Sequence, residues 1–289
     1  MENKYGEQSA QAEIPYVSPG KVIPKIIHQT YCRKKLPSEL DKIVQELREN
    51  NPGWEYRFYD DQDIEGYIAQ NYGIKILDYY HRINHVYGAA RADLFRYLLM
   101  YKEGGVYLDI KSTIAKPLDE ILAAEDQFLL CGWDNHNHKA HKELQVVDGG
   151  EYQQWHIICA PGSPFLRAVI CAVLANIDSY KPWRQGVGKI GVLRVTGPIA
   201  YTLAIAPLLS KYPYRYERTN KAFALVYSAT QMSHKKIYKK HYSKLTATII
   251  RLDGIDAFFG QLYSLYRKTR SLLKKIVPRN IRKLISNMM

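Results

Sequence analysis

The chain has 289 residues, of which 46% are hydrophobic and 12% aromatic, and its formal net charge is +13. This length and composition can bury a full core, which excludes intrinsic disorder, and the four cysteines show neither the spacing nor the density of a disulfide framework. We therefore expect one large globular domain, or one domain with an appendage, in a reducing compartment and with core thiols.

The first 20 residues lack the apolar segment of a signal peptide, and we expect them to form a flexible tail. The longest uncharged run, residues 195–210, is interrupted by glycine and proline and is shorter than a membrane span. No membrane-spanning helix is expected.

Strand-like and helix-like segments alternate in the first part of the chain. The sequence predicts an apolar strand in KVIPKIIHQTY and a helix over PSELDKIVQELRENNP with Ser38 as its N-cap. A second strand is predicted over WEYRFYD, followed by a helix over DDQDIEGYIAQNYG whose acidic first turn suits the helix dipole. This alternation predicts an α/β fold with a mostly parallel sheet covered on both faces.

The segment GAARADLFRYLLMYKEGGVYLDIK predicts a helix that stops at Gly104 and passes directly into a strand. The predicted helix places Asp93 and Arg96 three residues apart, where they can pair. In the predicted strand Asp109 and Lys111 share one face, at the carboxyl end where ligands bind in open α/β sheets. Two weak surface ion pairs are the alternative interpretation.

Four segments together resemble the DXD-containing sugar transferases of glycosyltransferase family 32: IPKIIHQTY, NPGWEYRFYDD, RADLFRYLLMYKEGGVYLDIK and KPLDEIL. Farther on, QWHIICAPGSPFLRAVI, TGPIAYT and HYSKL are similar to segments of the same family, so the resemblance covers about residues 21–250. The family includes fungal initiating mannosyltransferases and bacterial capsule and lipopolysaccharide transferases. The resemblance implies a GT-A-type (Rossmann-like) fold, a nucleotide-sugar donor, a divalent metal and retention of anomeric configuration.

The resemblance also implies roles for individual residues. Asp93 and Arg96 resemble the pair that holds the donor sugar and ribose hydroxyls, Asp109 the first DXD aspartate, and Tyr31 the position that stacks on the nucleotide base. The expected catalytic residues are Asp93, Arg96, Asp109 and Lys111. The expected nucleotide-sugar-binding residues are His28, Gln29, Thr30, Tyr31, Asp93, Arg96, Gly105, Gln154, Trp155, Thr196 and Gly197.

The sequence departs from the family at Lys111, which occupies the place of the second DXD aspartate. A nucleoside diphosphate leaving group gains negative charge, which Mn²⁺ or Mg²⁺ neutralises when carboxylates hold the cation. Three interpretations stay open at this point. The metal is held by Asp109, diphosphate oxygens, waters and His241; or Lys111 itself supplies the positive charge; or Lys111 pairs with Asp109 in an inactive protein.

Two other groups of residues invite a functional interpretation. His136, His138 and His141 have metal-like spacing, but their polar surroundings predict an acceptor-side loop instead. Three tryptophans are expected in the core, with sugar stacking as the alternative. They are Trp133, Trp155 and Trp183.

Residues 231–289 hold fourteen lysines and arginines against two aspartates and therefore carry most of the net charge. From Phe258 to Ile276, apolar residues recur at helical spacing between these cations. The pattern favours an anionic membrane surface as the partner, over plain packing on the body and over nucleic acid, which is not expected.

Together with the residues above, the resemblance to family 32 implies a retaining transferase that moves a hexose from a UDP- or GDP-sugar to a glycan or lipid-linked acceptor in capsular polysaccharide or lipopolysaccharide synthesis. The enzyme is expected to be cytoplasmic and peripheral on the inner face of the membrane. The expected regions are a tail (1–20), a transferase domain (21–250) with donor (21–130) and acceptor (131–250) parts, and basic amphipathic helices (251–289). The alternative is a catalytically silent sugar-nucleotide or glycan-binding protein at a membrane surface.

Overall fold

The computed structural model describes residues 13–133, 141–230 and 242–276. The strands in these ranges are β1 (Ile26–Thr30), β2 (Glu55–Tyr59), β3 (Gly105–Leu108), β4 (Thr113–Ile114), β5 (Phe128–Cys131), β6 (His156–Cys159), β7 (Arg215–Glu217) and β8 (Leu225–Val226). The α-helices are α1 (Ser38–Glu49), α2 (Asp61–Arg82), α3 (Gly88–Glu103), α4 (Leu118–Ile121), α5 (Pro164–Asp178), α6 (Pro182–Gln185), α7 (Gly188–Val195), α8 (Pro198–Ile205) and α9 (Gly254–Ile276). Short 3₁₀ helices cover Lys142–Leu144, Ala206–Leu208, Asn220–Phe223 and Tyr242–Lys244.

A six-stranded sheet in the order β2-β1-β3-β6-β5-β7 forms the centre of the fold. β1 pairs in parallel with both β2 and β3, and β5 pairs in parallel with β7, whereas β6 runs antiparallel to its two neighbours. β4 and β8 form a separate antiparallel pair. The predicted α/β class with a mostly parallel sheet is confirmed.

Apolar side chains cover both faces of this sheet. Tyr107 and Ile157 face the larger cluster, which contains buried residues of α2, α3, α5, α7 and α8. Val106 and Leu108 face the second cluster, which includes residues of α1 and α4. Burial on both faces explains why β3 is apolar throughout rather than alternating.

The helix starts differ from the prediction at one position. Ser38 is the first residue of α1 and not its N-cap: Pro37 is the N-cap, and its carbonyl accepts the bond from the Asp41 amide while no side chain caps the helix. The acidic start of α2 is confirmed, because Asp60 and Asp63 form a reciprocal capping box.

Residues 13–20 pack on the body and correct the prediction of a flexible tail for that part. Ile14 is buried, the Val17 amide donates to the Tyr101 hydroxyl, and the Gly20 amide donates to the Pro161 carbonyl. Residues 1–12 lie outside the described residues. The four cysteines are free thiols, and three are buried as predicted, whereas Cys32 is exposed.

Among the described residues, one stretch, Gly188–Leu208, is long and apolar enough to span a membrane by length and composition, and 61% of it is buried inside the protein. It is divided between α7 and α8 by a break at Thr196–Gly197, and both helices contribute to the main core. These helices are therefore part of the packed body.

Candidate active site

The turn into β3 depends on two glycines with positive φ. Gly104 (φ 66°) caps α3, and a Cβ there would come within 2.7 Å of the Pro161 nitrogen. Gly105 (φ 92°) lies so close to β1 that a Cβ would come within 2.5 Å of the Ile26 carbonyl oxygen. The glycine pair thus lets α3 pass directly into β3, because only glycine fits the backbone conformation and the close contacts at these two positions.

β3 ends at Leu108, one residue before the predicted functional aspartate. The Asp109 amide still donates to the Trp155 carbonyl at 2.9 Å, but the Ser112 amide then donates to the Asp109 carbonyl and closes a turn. Lys111 lies within this turn and not on a strand. The predicted strand face shared by Asp109 and Lys111 is therefore wrong for Lys111, while the strand-end position of Asp109 is correct.

Arg96 joins the two predicted aspartates. Its Nη2 lies 3.0 Å from Asp109 Oδ1 and 3.4 Å from Asp93 Oδ1, and its Nη1 donates to the Gln154 carbonyl at 2.8 Å. The Arg96 side chain is 6% exposed and that of Asp93 is 4% exposed, whereas the Asp109 side chain is 27% exposed. The surface-pair interpretation is excluded for Asp93–Arg96, since both side chains are buried.

Asp93 is held by two more donors from distant parts of the chain. Gln154 Nε2 donates to Asp93 Oδ1 at 3.1 Å, and Thr196 Oγ1 donates to Asp93 Oδ2 at 2.9 Å. The Tyr97 hydroxyl joins these partners, lying 2.9 Å from the Thr196 carbonyl and 3.1 Å from Gln154 Oε1. The buried carboxylate is therefore satisfied, and its position is fixed by α3, the loop before β6 and the end of α7.

Burial raises the pKa of Asp93, and the charge of Arg96 and the hydrogen bonds from Gln154 and Thr196 oppose that shift. Burial acts to lower the pKa of Arg96, but the negative charges of Asp109 and of other neighbouring groups outweigh it, and the net pKa is raised. Arg96 therefore stays cationic and carries one charge between two carboxylates.

Residues of β1 and β3 brace the strand end that carries Asp109. Gln29 Nε2 donates to the Asp109 carbonyl at 3.4 Å and its Oε1 accepts from the Tyr56 hydroxyl. Thr30 Oγ1 lies 3.0 Å from the Tyr107 hydroxyl, and the Arg96 guanidinium lies over the Tyr107 ring at 4.8 Å. Gln29 and Thr30 thus have a supporting role: they hold the backbone of Asp109 and the Tyr107 side chain in place.

Lys111 is buried, with 7% of the residue exposed, and its Nζ lies 3.9 Å from the centroid of the Tyr227 ring. Within the described part of the chain it forms no ion pair, and Asp109 pairs with Arg96 instead. The interpretation in which Lys111 neutralises Asp109 therefore has no contact to support it. The Lys111 ammonium thus lies against an aromatic face, on a largely buried side chain beside the strand end.

No group of three or more His, Cys, Asp or Glu side chains that could hold a metal occurs within the described ranges. His241, the second predicted metal ligand, lies outside the described residues, as do His136 and His138. His141 is described, and its Nε2 lies 3.9 Å from a carboxylate oxygen of Glu151. Asp109 is the partly exposed carboxylate of the site, and a cation that keeps several waters needs few protein ligands, so the residues fit a metal shared with a diphosphate.

Three predicted donor-binding residues have structural contacts instead. His28 is fully buried, donates through Nε2 to the Gly104 carbonyl and accepts through Nδ1 from the Tyr59 hydroxyl. Burial, with the nearby Arg57 charge, lowers the pKa of His28 to about 4, so it is neutral at pH 7. Gly105 and Gly197 are required by close backbone contacts, since a Cβ on Gly197 would come within 2.9 Å of the Leu193 Cα.

The predicted aromatic contacts are largely covered by protein. Tyr31 is 7% exposed and packs with buried residues of α1 and with Ile110. Trp155 is 4% exposed, and its indole nitrogen donates to Gln153 Oε1 at 2.6 Å. Trp155 is therefore a core residue, as expected from the sequence. Trp183 was also expected in the core, but it is 45% exposed.

Sequence reasoning missed three tyrosines that complete the site. Tyr97 and Tyr107 could have been found, because each is three or fewer residues from a predicted functional residue and lies in a predicted element. No sequence pattern could have indicated Tyr227, because its contact with Lys111 joins segments more than one hundred residues apart.

We predict that Thr196→Val weakens both stability and turnover. The substitution keeps the side-chain shape but removes a donor to a buried carboxylate, which typically contributes about 2 kcal/mol to the free energy of unfolding. Turnover should fall roughly tenfold, because positioning errors near the reacting centre are expensive. The loss should grow as pH falls, since the missing hydrogen bond raises the pKa of Asp93 further. Urea unfolding and pH profiles of donor turnover measure both effects.

Thr219→Val is the matched control, because the Thr219 hydroxyl caps no backbone group at the 3₁₀ helix that follows it. Equal pH profiles for Thr196→Val and the control would show that Thr196 only fills space.

Comparisons with known proteins identify a sequence family for part of the chain. Residues 37–128 match the family described as "Glycosyltransferase sugar-binding region containing DXD motif", a range that contains Asp93, Arg96, Asp109 and Lys111. The resemblance to family 32 predicted from the sequence is thereby confirmed.

Two fungal relatives illustrate the similarity, both from Schizosaccharomyces pombe. Inositol phosphoceramide mannosyltransferase 3 is 32% identical over 107 residues, which is 37% of this chain and 29% of the relative. Initiation-specific alpha-1,6-mannosyltransferase is 26% identical over 211 residues, which is 68% of this chain and 51% of the relative. The chain thus spans about half or less of the length of these relatives. Among solved structures, the PaToxG glycosyltransferase aligns with a TM-score of 0.47 and 16% identity, covering 72% of this chain and 77% of that chain.

Proposed function

We propose that this chain, whose residues 37–128 match the DXD-containing glycosyltransferase family, is a retaining hexosyltransferase that uses a nucleotide-sugar donor. The observation that carries the proposal is the bridge that buried Arg96 forms between buried Asp93 and partly exposed Asp109 at the end of β3. Such a fixed array of charges at a strand end suits the binding of sugar hydroxyls and a diphosphate.

In the proposed reaction the bond between the anomeric carbon and the diphosphate oxygen breaks, and an acceptor hydroxyl oxygen bonds to the same face of the sugar. The proton of that hydroxyl passes to the departing diphosphate. The departing diphosphate gains negative charge. Lys111 supplies a fixed positive charge to it from a site where water screens little, which makes the interaction stronger than at the surface. Asp93 and Arg96 orient the donor sugar, and Gln154 and Thr196 keep their geometry.

Asp109 would be the protein ligand of Mn²⁺ or Mg²⁺, with diphosphate oxygens and waters completing the coordination. When bound, the cation supplies further positive charge to the diphosphate. Asp109 pairs with Arg96, and this contact holds the carboxylate in place for the divalent cation.

Both fungal relatives described above are named as mannosyltransferases, and one is named for inositol phosphoceramide. Mannose is therefore the first sugar to test, and a lipid-linked saccharide or a glycolipid is the first acceptor class. A role in surface polysaccharide synthesis belongs to the same proposal.

The test is a panel of UDP- and GDP-sugars, with and without Mn²⁺, read by thermal unfolding and by release of nucleoside diphosphate. A true donor at about 100 times its dissociation constant should stabilise the protein by about 2.7 kcal/mol. Binding without release, even with acceptor present, would favour the catalytically silent sugar-nucleotide-binding protein. No stabilisation by any donor would contradict both functions.

We also propose that the enzyme acts at the cytoplasmic face of an anionic membrane. α9 turns its apolar side outward: Phe258, Leu262 and Leu265 are 57%, 48% and 58% exposed. Its inner side is fastened to the body where Asp256 pairs with Lys181 and where Gly260 is buried. An exposed apolar stripe flanked by cations suits an anionic interface, and the cytoplasmic leaflet carries such charge.

Replacing two exposed apolar residues of α9, Phe258→Gln with Leu262→Gln, should weaken vesicle binding. The loss should be roughly 100-fold, because each large apolar side chain transferred from water contributes about 1.5 kcal/mol. Co-sedimentation with vesicles of phosphatidylcholine and phosphatidylglycerol measures it. Ile74→Gln with Val146→Gln is the matched control, since both residues are exposed elsewhere. Unchanged binding of the α9 variant would remove this helix from the membrane proposal.

A further inference from the structure

An open cleft of about 660 Å³ lies between α9 and the segment that precedes it, and the proposed reaction does not use it. The segment from Lys244 to Leu252 forms one wall, and the first four turns of α9 form the other. A cleft of this size is in the range of small-molecule sites.

The charge of the cleft is entirely positive. Lys244, Arg251 and Lys268 line it, no carboxylate is among the lining residues, and none of the three cations forms an ion pair with any residue that the structure describes. Two hydroxyl-bearing residues, Thr246 and Ser264, are also in the lining. A cleft lined by cations and hydroxyl-bearing residues, with no acidic residue in the lining, suits a phosphate group.

The lining also has an apolar part, which continues into the exposed face of α9. Leu245, Leu252 and Ala257 are in the cleft, and Leu265 belongs both to the cleft and to the exposed stripe. A ligand with a phosphate among the cations would therefore have its apolar part along the side of α9. This juxtaposition of charge and apolar surface distinguishes an amphiphile from a free sugar phosphate or a nucleotide.

We propose that the cleft binds the phosphate headgroup of an anionic phospholipid. The inference rests on the membrane association proposed above, and it adds a defined lipid site to a general apolar and electrostatic attraction. The lipid phosphate lies among Lys244, Arg251 and Lys268, and the acyl chains follow Leu265 into the same membrane that α9 contacts.

The cleft is connected to the helix that carries the donor site. The Tyr87 hydroxyl donates to the Ala247 carbonyl at 2.6 Å, and the Asn84 amide donates to the Ile249 carbonyl at 2.8 Å. Tyr87 is the N-cap of α3, the helix that holds Asp93. A lipid in the cleft therefore fixes the height and orientation of α3 above the membrane, and with it the access of a lipid-linked acceptor.

The test uses the full chain and soluble short-chain lipids, so it does not depend on vesicle binding. Dihexanoylphosphatidylglycerol should bind about tenfold more tightly than dihexanoylphosphatidylcholine in calorimetric titrations below micelle formation. The triple variant Lys244→Gln, Arg251→Gln and Lys268→Gln should lose this preference. Donor-induced stabilisation should be unchanged in that variant, because the three residues do not touch the donor site.

A control triple, Lys42→Gln, Lys211→Gln and Lys221→Gln, removes the same charge from exposed positions elsewhere. It should keep the lipid preference within about twofold, as expected for distant screened charges. Equal losses in both triples, or no preference in the parent protein, would overturn the lipid site. Full competition by equimolar inorganic phosphate would assign the cleft to free phosphate and also overturn it. If one of these outcomes is found and the protein still binds vesicles, the lipid site is wrong and the general membrane association proposed above remains.

Discussion

Asp109→Asn should reduce sugar transfer by at least about 1,000-fold while the protein stays folded. The substitution removes the partly exposed carboxylate that pairs with Arg96 Nη2 at 3.0 Å and that would hold the divalent cation. Losing a preorganised charge at a developing diphosphate costs on the order of 10²–10³ in rate, and losing the metal ligand adds to that. Single-turnover release of nucleoside diphosphate, at saturating donor and Mn²⁺, measures the effect.

The stability of this variant is part of the same prediction. Arg96 remains paired with Asp93, so the free energy of unfolding should fall by only roughly 2 kcal/mol, the contribution of one charged hydrogen bond. Asp119→Asn is the control, because Asp119 also pairs with a cation, Lys25, but in an exposed position. A folded Asp109→Asn protein with parental turnover would show that the end of β3 is not the reaction centre.

Much of the fold was predictable because its signals are local. The Gly104–Gly105 turn, the strand after it and the aspartate at its end follow from neighbouring residues, and the structure has all three. The acidic start of α2 is equally local, and its capping box forms within four residues. Local patterns suffice where the backbone decides the conformation within one turn or one strand.

The site itself needed information that spacing does not contain. Gln154 and Thr196 reach Asp93 from 61 and 103 residues away, and only the resemblance to a family indicated their segments. The sequence of α3 has apolar residues at helical spacing, and Asp93 and Arg96 fall on a different face of the helix. The structure buries both faces, because α3 lies between the sheet and other helices. A buried ion-paired network is therefore found where the sequence alone also allowed a surface pair.

The C-terminal helix illustrates a different limit. The sequence predicts an amphipathic helix from the apolar spacing, but the same pattern fits a helix that packs its apolar side inward. The structure reverses the usual arrangement, with Gly260 buried and Phe258 exposed. Which side faces the body depends on tertiary contacts such as Asp256–Lys181, and these join distant segments.

Substitution of Lys111 tests whether the protein has merely lost the second DXD aspartate or has replaced its function with that of a lysine. The Lys111 side chain is largely buried and its ammonium contacts the face of the Tyr227 ring at 3.9 Å, with no ion pair among the described residues, so the folded protein gains little from keeping the charge there. Lys111→Met, which keeps the length of the side chain, should therefore leave the free energy of unfolding unchanged or raise it by about 1 kcal/mol. A residue that is neutral or costly for stability and needed for turnover is one that acts on the ligand.

Turnover of Lys111→Met should fall by about 1,000-fold, because the charge that opposes the departing diphosphate is removed from a poorly hydrated site. Lys111→Asp, which restores the second carboxylate of the motif, should be at least as inactive even at saturating Mn²⁺, since it replaces a cation beside the phosphates with an anion. Lys116→Met, an exposed lysine on the same segment, is the control. Denaturant unfolding and Mn²⁺ titrations of nucleoside diphosphate release give both readouts. If Lys111→Asp were active and bound Mn²⁺ more tightly, the lysine would only occupy the place of a dispensable metal ligand, and its proposed role as the positive charge at the diphosphate would be wrong.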